Sequence, residues 1–210
     1  CLFWLAGFSS WAQQKYLPPP EAAKELFASR PMPRVSLSPD RRYLLIAEGH
    51  RFRRISDLAS RVVALAGVRG NPFNNGPAVP AYFVRMEIKV VATGKKFAVK
   101  LPPGPRRFSL PVWSPDGRRF AFLQYHRTEV ILWLGEAANG QVKQVRNLKL
   151  NASLGRSFQW LPDSESLLCL ALPASRGKLP LAPRAPAGPV VHETRSKEGQ
   201  VKTYPDLLKN

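Results

Sequence analysis

Only two cysteines occur in the 210 residues, Cys1 and Cys169. Cys1 falls in a segment expected to be removed, and Cys169 reads as a small buried hydrophobe on a strand. That leaves one thiol and excludes an intrachain disulfide, so stability has to come from the core. Histidine is equally scarce. His50, His126 and His192 stand alone, without metal-ligand spacing, and are expected as surface or loop side chains rather than bases or ligands. A nucleophile elbow needs Gly-x-Ser-x-Gly, because the flanking glycines permit the strained turn that exposes the hydroxyl. The pentapeptide is missing; Gly7-Phe8-Ser9-Ser10-Trp11 fails at its last position. No glycine-rich phosphate loop occurs. No catalytic residue, cofactor site or metal ligand is therefore assigned, no cofactor is expected, and substrate-binding residues stay open.

Acidic residues are also few: 14 Asp and Glu against 32 Lys and Arg, a formal charge of +18. Basic pairs stand at Arg41-Arg42, Arg53-Arg54, Lys95-Lys96, Arg106-Arg107 and Arg118-Arg119. A basic surface suits nucleic acid, anionic lipid or an acidic partner. Equally, charge at hairpin tips is ordinary solvated surface. No RNA-binding signature, zinc-finger spacing or aromatic-interleaved basic strip accompanies it, so nucleic acid is not expected as a partner.

No apolar run is long enough to span a bilayer, so no stable membrane anchor is expected. Leu2 to Phe8 is nonetheless uninterruptedly apolar, and the small residues Ser10 and Ala12 precede Gln13-Gln14-Lys15. That is the apolar core and cleavage site of a secretory signal. Residues 1–12 are expected to be a signal-peptide remnant lacking its first residues, and 13–34 an N-terminal extension. A buried N-terminal strand is the competing reading; a lipidated Cys1 is disfavoured by the apolar run after it. The implied location is export, to a bacterial periplasm or the medium.

What the chain does contain is repetition. Ser38-Pro39-Asp40, Ser114-Pro115-Asp116 and Leu161-Pro162-Asp163 align on the proline. Leu37, Trp113 and Trp160 precede the proline by two. Leu44, Phe120 and Leu167 follow it by five, and Ile46, Phe122 and Cys169 by seven. Alternating apolar positions on both sides of a turn predict a hairpin with one buried face. Gly117 suits a left-handed turn position; Arg41 and Ser164 stand there in the other copies, so their turns are expected to differ slightly.

A second marker gives the same period. Gly94 and Gly140 end similar segments 46 positions apart, and the last two Pro-Asp turns are 47 apart. This is close to one four-stranded propeller blade. The first two Pro-Asp turns are 76 apart, which an insertion of about 30 residues explains. Residues 48–80 are the insertion, with a short helix starting at Ser56-Asp57-Leu58 and a loop from Gly70 to Pro77. Pro173 to Pro189 reads as a proline-rich loop. The predicted fold is all-β: an incomplete β-propeller over 35–210, about three blades of four-stranded antiparallel sheet. A β-sandwich is the alternative. Closed propellers have 4–8 blades, so the repeat implies part of something larger.

Several ordered segments resemble the prolyl oligopeptidase family, within it the glutamyl-endopeptidase-like enzymes. They include Tyr16-Leu17-Pro18-Pro19-Pro20, Val35 to Asp40, Ala66-Gly67-Val68-Arg69-Gly70-Asn71-Pro72, Val112 to Gly117, Leu150 to Gly155, Phe158 to Ser164 and Thr203 to Asn210. The resemblance implies an N-terminal propeller that gates peptide access to a C-terminal α/β-hydrolase domain of the same parent chain. It implies a Ser-Asp-His triad there and, in the glutamyl group, cleavage after acidic residues. No triad position falls in these residues, so this chain alone is expected to be inactive. Peptides and the hydrolase domain are the expected partners. A non-catalytic periplasmic propeller binding a protein or envelope component is the alternative, as is a basic module for anionic polymers.

Overall fold

The computed structural model describes residues 18–29, 31–65 and 67–177. The proposed signal segment lies outside them, as do His192 and the proline-rich loop beyond residue 177. The chain divides into two compact units, Cys1–Arg30 and Pro31–Asn210. In the first, helix α1 (Glu21–Ala28) follows Pro18-Pro19-Pro20. Glu21 sits in its first turn, where a negative charge favours the helix dipole, and pairs with Lys24 at 2.9 Å.

The second unit runs β1 (Arg34–Leu37), β2 (Tyr43–Gly49), α2 (Ile55–Leu58), β3 (Val63–Leu65), β4 (Val68–Asn71), β5 (Gly76–Pro77), β6 (Phe83–Val90), β7 (Lys96–Ala98), β8 (Val112–Trp113), β9 (Arg119–Tyr125), β10 (Val130–Glu136), β11 (Val142–Gln144), β12 (Phe158–Trp160) and β13 (Leu167–Cys169). Among the described residues it is mostly β, in antiparallel sheets with no closed barrel. One four-stranded sheet is ordered β1-β2-β6-β7 and another β8-β9-β10-β11; β12 pairs with β13, and β3-β4-β5 form a small sheet of their own. The two large sheets have the same plan. Each begins with a Ser-Pro-Asp hairpin and ends with the Gly94 or Gly140 hairpin. In the first, α2 and β3–β5 stand between the second and third strands.

The three Pro-Asp turns are more alike than their sequences suggest. In the first, the Ser38 hydroxyl donates to Asp40 Oδ1 at 2.6 Å and accepts the Tyr43 N–H at 2.9 Å. In the second, Ser114 donates to Asp116 at 2.6 Å and accepts the Arg119 N–H at 3.0 Å. In the third, which lacks the serine, Asp163 Oδ1 accepts the N–H groups of Glu165 and Ser166. The residue after each aspartate is left-handed: Arg41 at φ 61°, Gly117 at 73° and Ser164 at 61°. The expected difference between the turns is therefore absent. The hydrogen bonds around the aspartate hold Arg41 and Ser164 in a conformation that costs a non-glycine residue about 1 kcal/mol.

Packing corrects the one-buried-face expectation. Strand β9 is buried on both sides. Phe120 and Phe122 face the first sheet, in a cluster with Leu45, Ala47, Met86, Ile88, Phe108 and Trp113. Ala121, Leu123 and Tyr125 face the other way, with Val130, Leu132, Leu150 and Trp160. In β2 the expected Leu44 and Ile46 are only half-buried, and the alternate residues Leu45 and Ala47 are the buried ones. The reason is place in the stack. The second sheet has a neighbour on each face, whereas Leu44 and Ile46 point away from it. Cys169, at the Phe122 position, is half-buried against the second cluster, and burial raises its thiol pKa.

Neighbouring sheets are also joined by a repeated polar contact. Trp113 Nε1 donates to Ser36 Oγ of the first sheet at 3.1 Å, and Trp160 Nε1 donates to the Val112 carbonyl of the second at 3.1 Å. Ser36 and Val112 are equivalent positions, each three before the proline. The turns touch as well: the Asp116 N–H donates to Ser164 Oγ at 3.0 Å, and a Cβ on Gly117 would lie 2.6 Å from Asp40 Oδ1.

Candidate functional site

The hairpin order sends the Pro-Asp turns and the Gly94 and Gly140 turns to one end of the sheets, and the long connections together with the short 126–129 turn to the other. The connecting segments 50–82, 99–111, 126–129 and 145–157 bond to one another there. Asn74 Nδ2 donates to the His126 carbonyl at 2.7 Å, and its Oδ1 accepts the Gly76 N–H at 2.9 Å. The Ala152 N–H donates to the Asn75 carbonyl at 2.7 Å. The Asn75 side chain accepts from Arg176, and Asn75 is left-handed at φ 57°, as asparagine tolerates. Residues 107–109 run between the two sheets: Phe83 and Phe108 exchange N–H···O bonds, and Tyr125 donates to the Arg107 carbonyl. Gln124, fully buried, donates to the Pro103 and Pro105 carbonyls and accepts from Trp133.

An ion pair fixes the 50–82 segment. Asp57, on α2 and 7% exposed, lies 2.6 Å from Arg107 Nη2 and accepts the Tyr82 hydroxyl at 2.7 Å. The Arg107–Asp57 contact is close but not aligned as a hydrogen bond. Arg107 also sits 5.7 Å over the Tyr82 ring, and the His50 ring packs edge-on against that ring. Burial and the Asp57 contact raise the Tyr82 pKa. Arg107 belongs to a basic pair that reads in sequence as solvated surface; the fold makes it a partly buried anchor. A lone acid in an arginine-rich segment was the one signal available.

Concave spaces open here among the described residues. One, of about 930 Å³, lies between Asn74-Asn75, the start of β10, the segment after β11 and Ala171 to Arg176. Glu129, Asn147 and Lys149 contribute polar groups over a floor of Val130 and Leu150. A second, about 500 Å³, is walled by Trp113, Tyr125, Phe158 and Trp160. A third, about 320 Å³, lies beside the β2 bulge. Among the described residues neither His50 nor His126 hydrogen-bonds a serine, cysteine or carboxylate through its side chain, and no three His, Cys, Asp or Glu side chains cluster as metal ligands. No helix among them is long and apolar enough to cross a membrane.

Charge divides the same way. At the turn end Arg41, Arg42, Lys95 and Arg118 are matched in number by Asp40, Asp116, Asp163 and Glu165. At the other end residues 50–82 carry Arg51, Arg53, Arg54, Arg61 and Arg69 against Asp57 alone. Residues 99–111 and 145–157 add Lys100, Arg106, Arg107, Arg146, Lys149 and Arg156, with no acid, and 126–129 pairs Arg127 with Glu129 in number.

Two curated relatives match nearly the whole chain. One is the Oryza sativa subsp. japonica protein named "Probable glutamyl endopeptidase, chloroplastic", 29% identical over 96% of this chain and 23% of its own length. The other, of the same name, is from Arabidopsis thaliana: 29% identical, over 92% of this chain and 21% of its own. Both relatives are named as peptidases. The chain spans less than a quarter of their length. A crystal structure described as a dipeptidyl aminopeptidase IV from Bacteroides ovatus ATCC 8483 aligns over 57% of this chain and 18% of its own, at 15% identity and a TM-score of 0.33. No protein-family model matches the chain.

Proposed function

We propose that this chain is β-propeller from an exported serine peptidase of the prolyl oligopeptidase family, and that it limits which peptides reach a hydrolase domain encoded beyond it. The observation that carries the reading is the repeated sheet. Two four-stranded antiparallel meanders share turn chemistry and an inter-sheet tryptophan bond, and a hairpin with the same turn and the same tryptophan starts a third. The kinship to two longer proteins named as glutamyl endopeptidases supports a peptidase parent.

The outer faces fit the same reading. Val35 and Leu37 on β1 are about half exposed, at 54% and 49%, and Leu168 on β13 is 62% exposed. These are the sides on which further sheets of a closed ring would pack. The parent enzyme would cleave by an acyl-enzyme route from a serine outside these residues. Export rests on the apolar Leu2 to Phe8 run and the small residues after it.

The test is to sequence the reading frame beyond Asn210. A downstream hydrolase domain with a nucleophile elbow supports the proposal. A stop codon soon after the ring closes overturns it in favour of a non-catalytic propeller. The purified chain alone is expected to leave acidic peptide substrates intact; turnover that co-purifies with it through several steps would place the active site within these residues and sink this account.

A further inference from the structure

We propose that the cavity between the second sheet and the β12–β13 hairpin binds a flat aromatic group that carries a carboxylate. The cavity, of about 500 Å³, is walled by Trp113, Tyr125, Phe158 and Trp160, and its volume falls within the usual range of small-ligand sites, about 300–1,000 Å³. Tyr125 ends β9, and Ser157 stands just before β12. The main chain fixes both. The Tyr125 N–H donates to the Arg107 carbonyl, and the Ser157 carbonyl accepts the Leu170 N–H. The two indole N–H groups of the wall are already used, Trp113 on Ser36 and Trp160 on the Val112 carbonyl. What they have left for a ligand is ring surface, which receives another aromatic ring edge-on or offset.

Two hydroxyls in the lining are unused. Tyr125 is 9% exposed and Ser157 3%; both line the cavity, and neither hydroxyl has a hydrogen-bond partner among the described residues. The buried side-chain atoms that are both sealed and without a hydrogen bond there are Asp57 Oδ1 and His126 Nε2. The two hydroxyls are not sealed, so each opens onto the space it lines. Burial alone pushes the Tyr125 phenol up to about 12, which keeps it a donor at every ordinary pH. A buried hydroxyl with no partner calls for one, and an acceptor inside the cavity can take a hydrogen bond from each. Arg156 decides the charge of that acceptor. It lies in the lining next to Ser157, is exposed, and has no acidic partner among the described residues; no carboxylate lines the cavity. Its planar guanidinium fork matches a carboxylate. A bare inorganic anion would leave the four rings unused, and a neutral ring would leave the arginine and hydroxyls unused. An aromatic carboxylate uses both. This inference does not depend on the peptidase reading.

The experiment titrates the full chain by calorimetry, at constant ionic strength, with 3-phenylpropionate, with its neutral amide and with the peptide Gly-Gly-Phe. Saturable binding of the acid or the peptide, tighter than about 1 mM, is expected. The tighter of the two tells a free aromatic acid from the aromatic C-terminus of a peptide. The amide should bind at least about tenfold more weakly than the acid, on the scale of charged hydrogen bonds. Tyr125→Phe, which keeps the ring, and Ser157→Ala should each weaken the acid by about fivefold or more. Arg156→Gln should weaken it about threefold, and Arg118→Gln, at the turn end, by less than about twofold. Circular dichroism checks each fold. If one hydroxyl variant fails to fold, the other decides, and the comparison of acid with amide needs no variant. Absence of saturable binding by both the acid and the peptide overturns the proposal. So does an amide that binds as tightly as the acid, which would make the cavity a plain apolar cleft. Folded hydroxyl variants that bind as tightly as the wild type overturn it as well.

Discussion

The two ends of the sheets are built from the same strands by opposite means. At the turn end each connection is a few residues long and is held mostly by its own hydrogen bonds, with single bonds such as Asp116 to Ser164 between turns. Asp40, Asp116 and Asp163 accept N–H groups within three residues, and acids match bases in number. At the other end the connections, long except for the 126–129 turn, bond to each other, through Asn74 to His126, Asn75 to Ala152 and Arg107 to Asp57. There the acids are few and the grooves open. A framework needs its local hydrogen bonds satisfied. A binding surface needs side chains that the framework has not already used. Division of labour between the ends follows: one spaces the sheets, the other carries the open grooves.

The largest expected effect tests the framework. Trp113→Ala removes a 9%-exposed ring that packs on Phe120 and bonds Ser36. It should cost about 3–5 kcal/mol, read as a fall in thermal midpoint of roughly 2–4 °C per kcal/mol. Trp113→Phe, which keeps most of the packing, should cost far less. Equal losses in the two variants would assign the joint to the Ser36 bond alone.

Breaking the other end should be smaller and local. Asp57→Ala orphans Arg107 and the Tyr82 hydroxyl, at about 2 kcal/mol; this is below the cost for a fully buried pair, since Arg107 is a third exposed. Amide exchange should quicken across residues 50–82 while β9 and β10 stay protected. Quickening of β9 to the same degree would show that the two ends unfold as one.

Opposite signs are expected at one turn position. Gly117→Ala meets both a positive φ of 73° and the Asp40 carboxylate at 2.6 Å, and should destabilise by about 1–2 kcal/mol. Arg41→Gly, at φ 61°, should stabilise by about 0.5–1 kcal/mol. Chemical denaturation midpoints of the two variants decide it.

The smallest effect concerns acid. All three turn aspartates have pKa values below the ordinary carboxylate value. In Asp40 a burial effect that raises the pKa is outweighed by bonds from Ser38 and Arg42. In Asp116 and Asp163 the leading causes are the bonds from Ser114 and Ser166. A carboxyl whose pKa is lower when folded stabilises the fold above its unfolded value, about 3.9, and loses that contribution as pH falls through its folded value. The melting temperature of the wild type should therefore drop below about pH 4 more steeply than that of Asp116→Asn. Parallel curves would show that the turn carboxylates carry no net share of stability.

The turns were legible because their chemistry is local. Ser38, Asp40 and Tyr43 satisfy one another within five residues, so the string Ser-Pro-Asp carries its own structure and its repeats carry the sheet plan. The helix expected from Ser56-Asp57-Leu58 is α2, which begins one residue earlier, at Ile55. The small sheet β3–β5 in the same segment had no clear alternation to announce it. The basic pairs looked alike on paper, yet Arg118 reaches solvent while Arg107 covers a tyrosine and a carboxylate.

By itself, then, the sequence determined the turns, the strand alternation, the period and the excess of positive charge, all properties of neighbouring residues or of composition. Only the tertiary structure decided which side of each strand is buried, because Leu45 rather than Leu44 meets the next sheet in the stack. It alone brought Asp57 to Arg107 and Asn74 to His126. Those contacts join residues far apart in the chain, and local pattern has no term for distance in space.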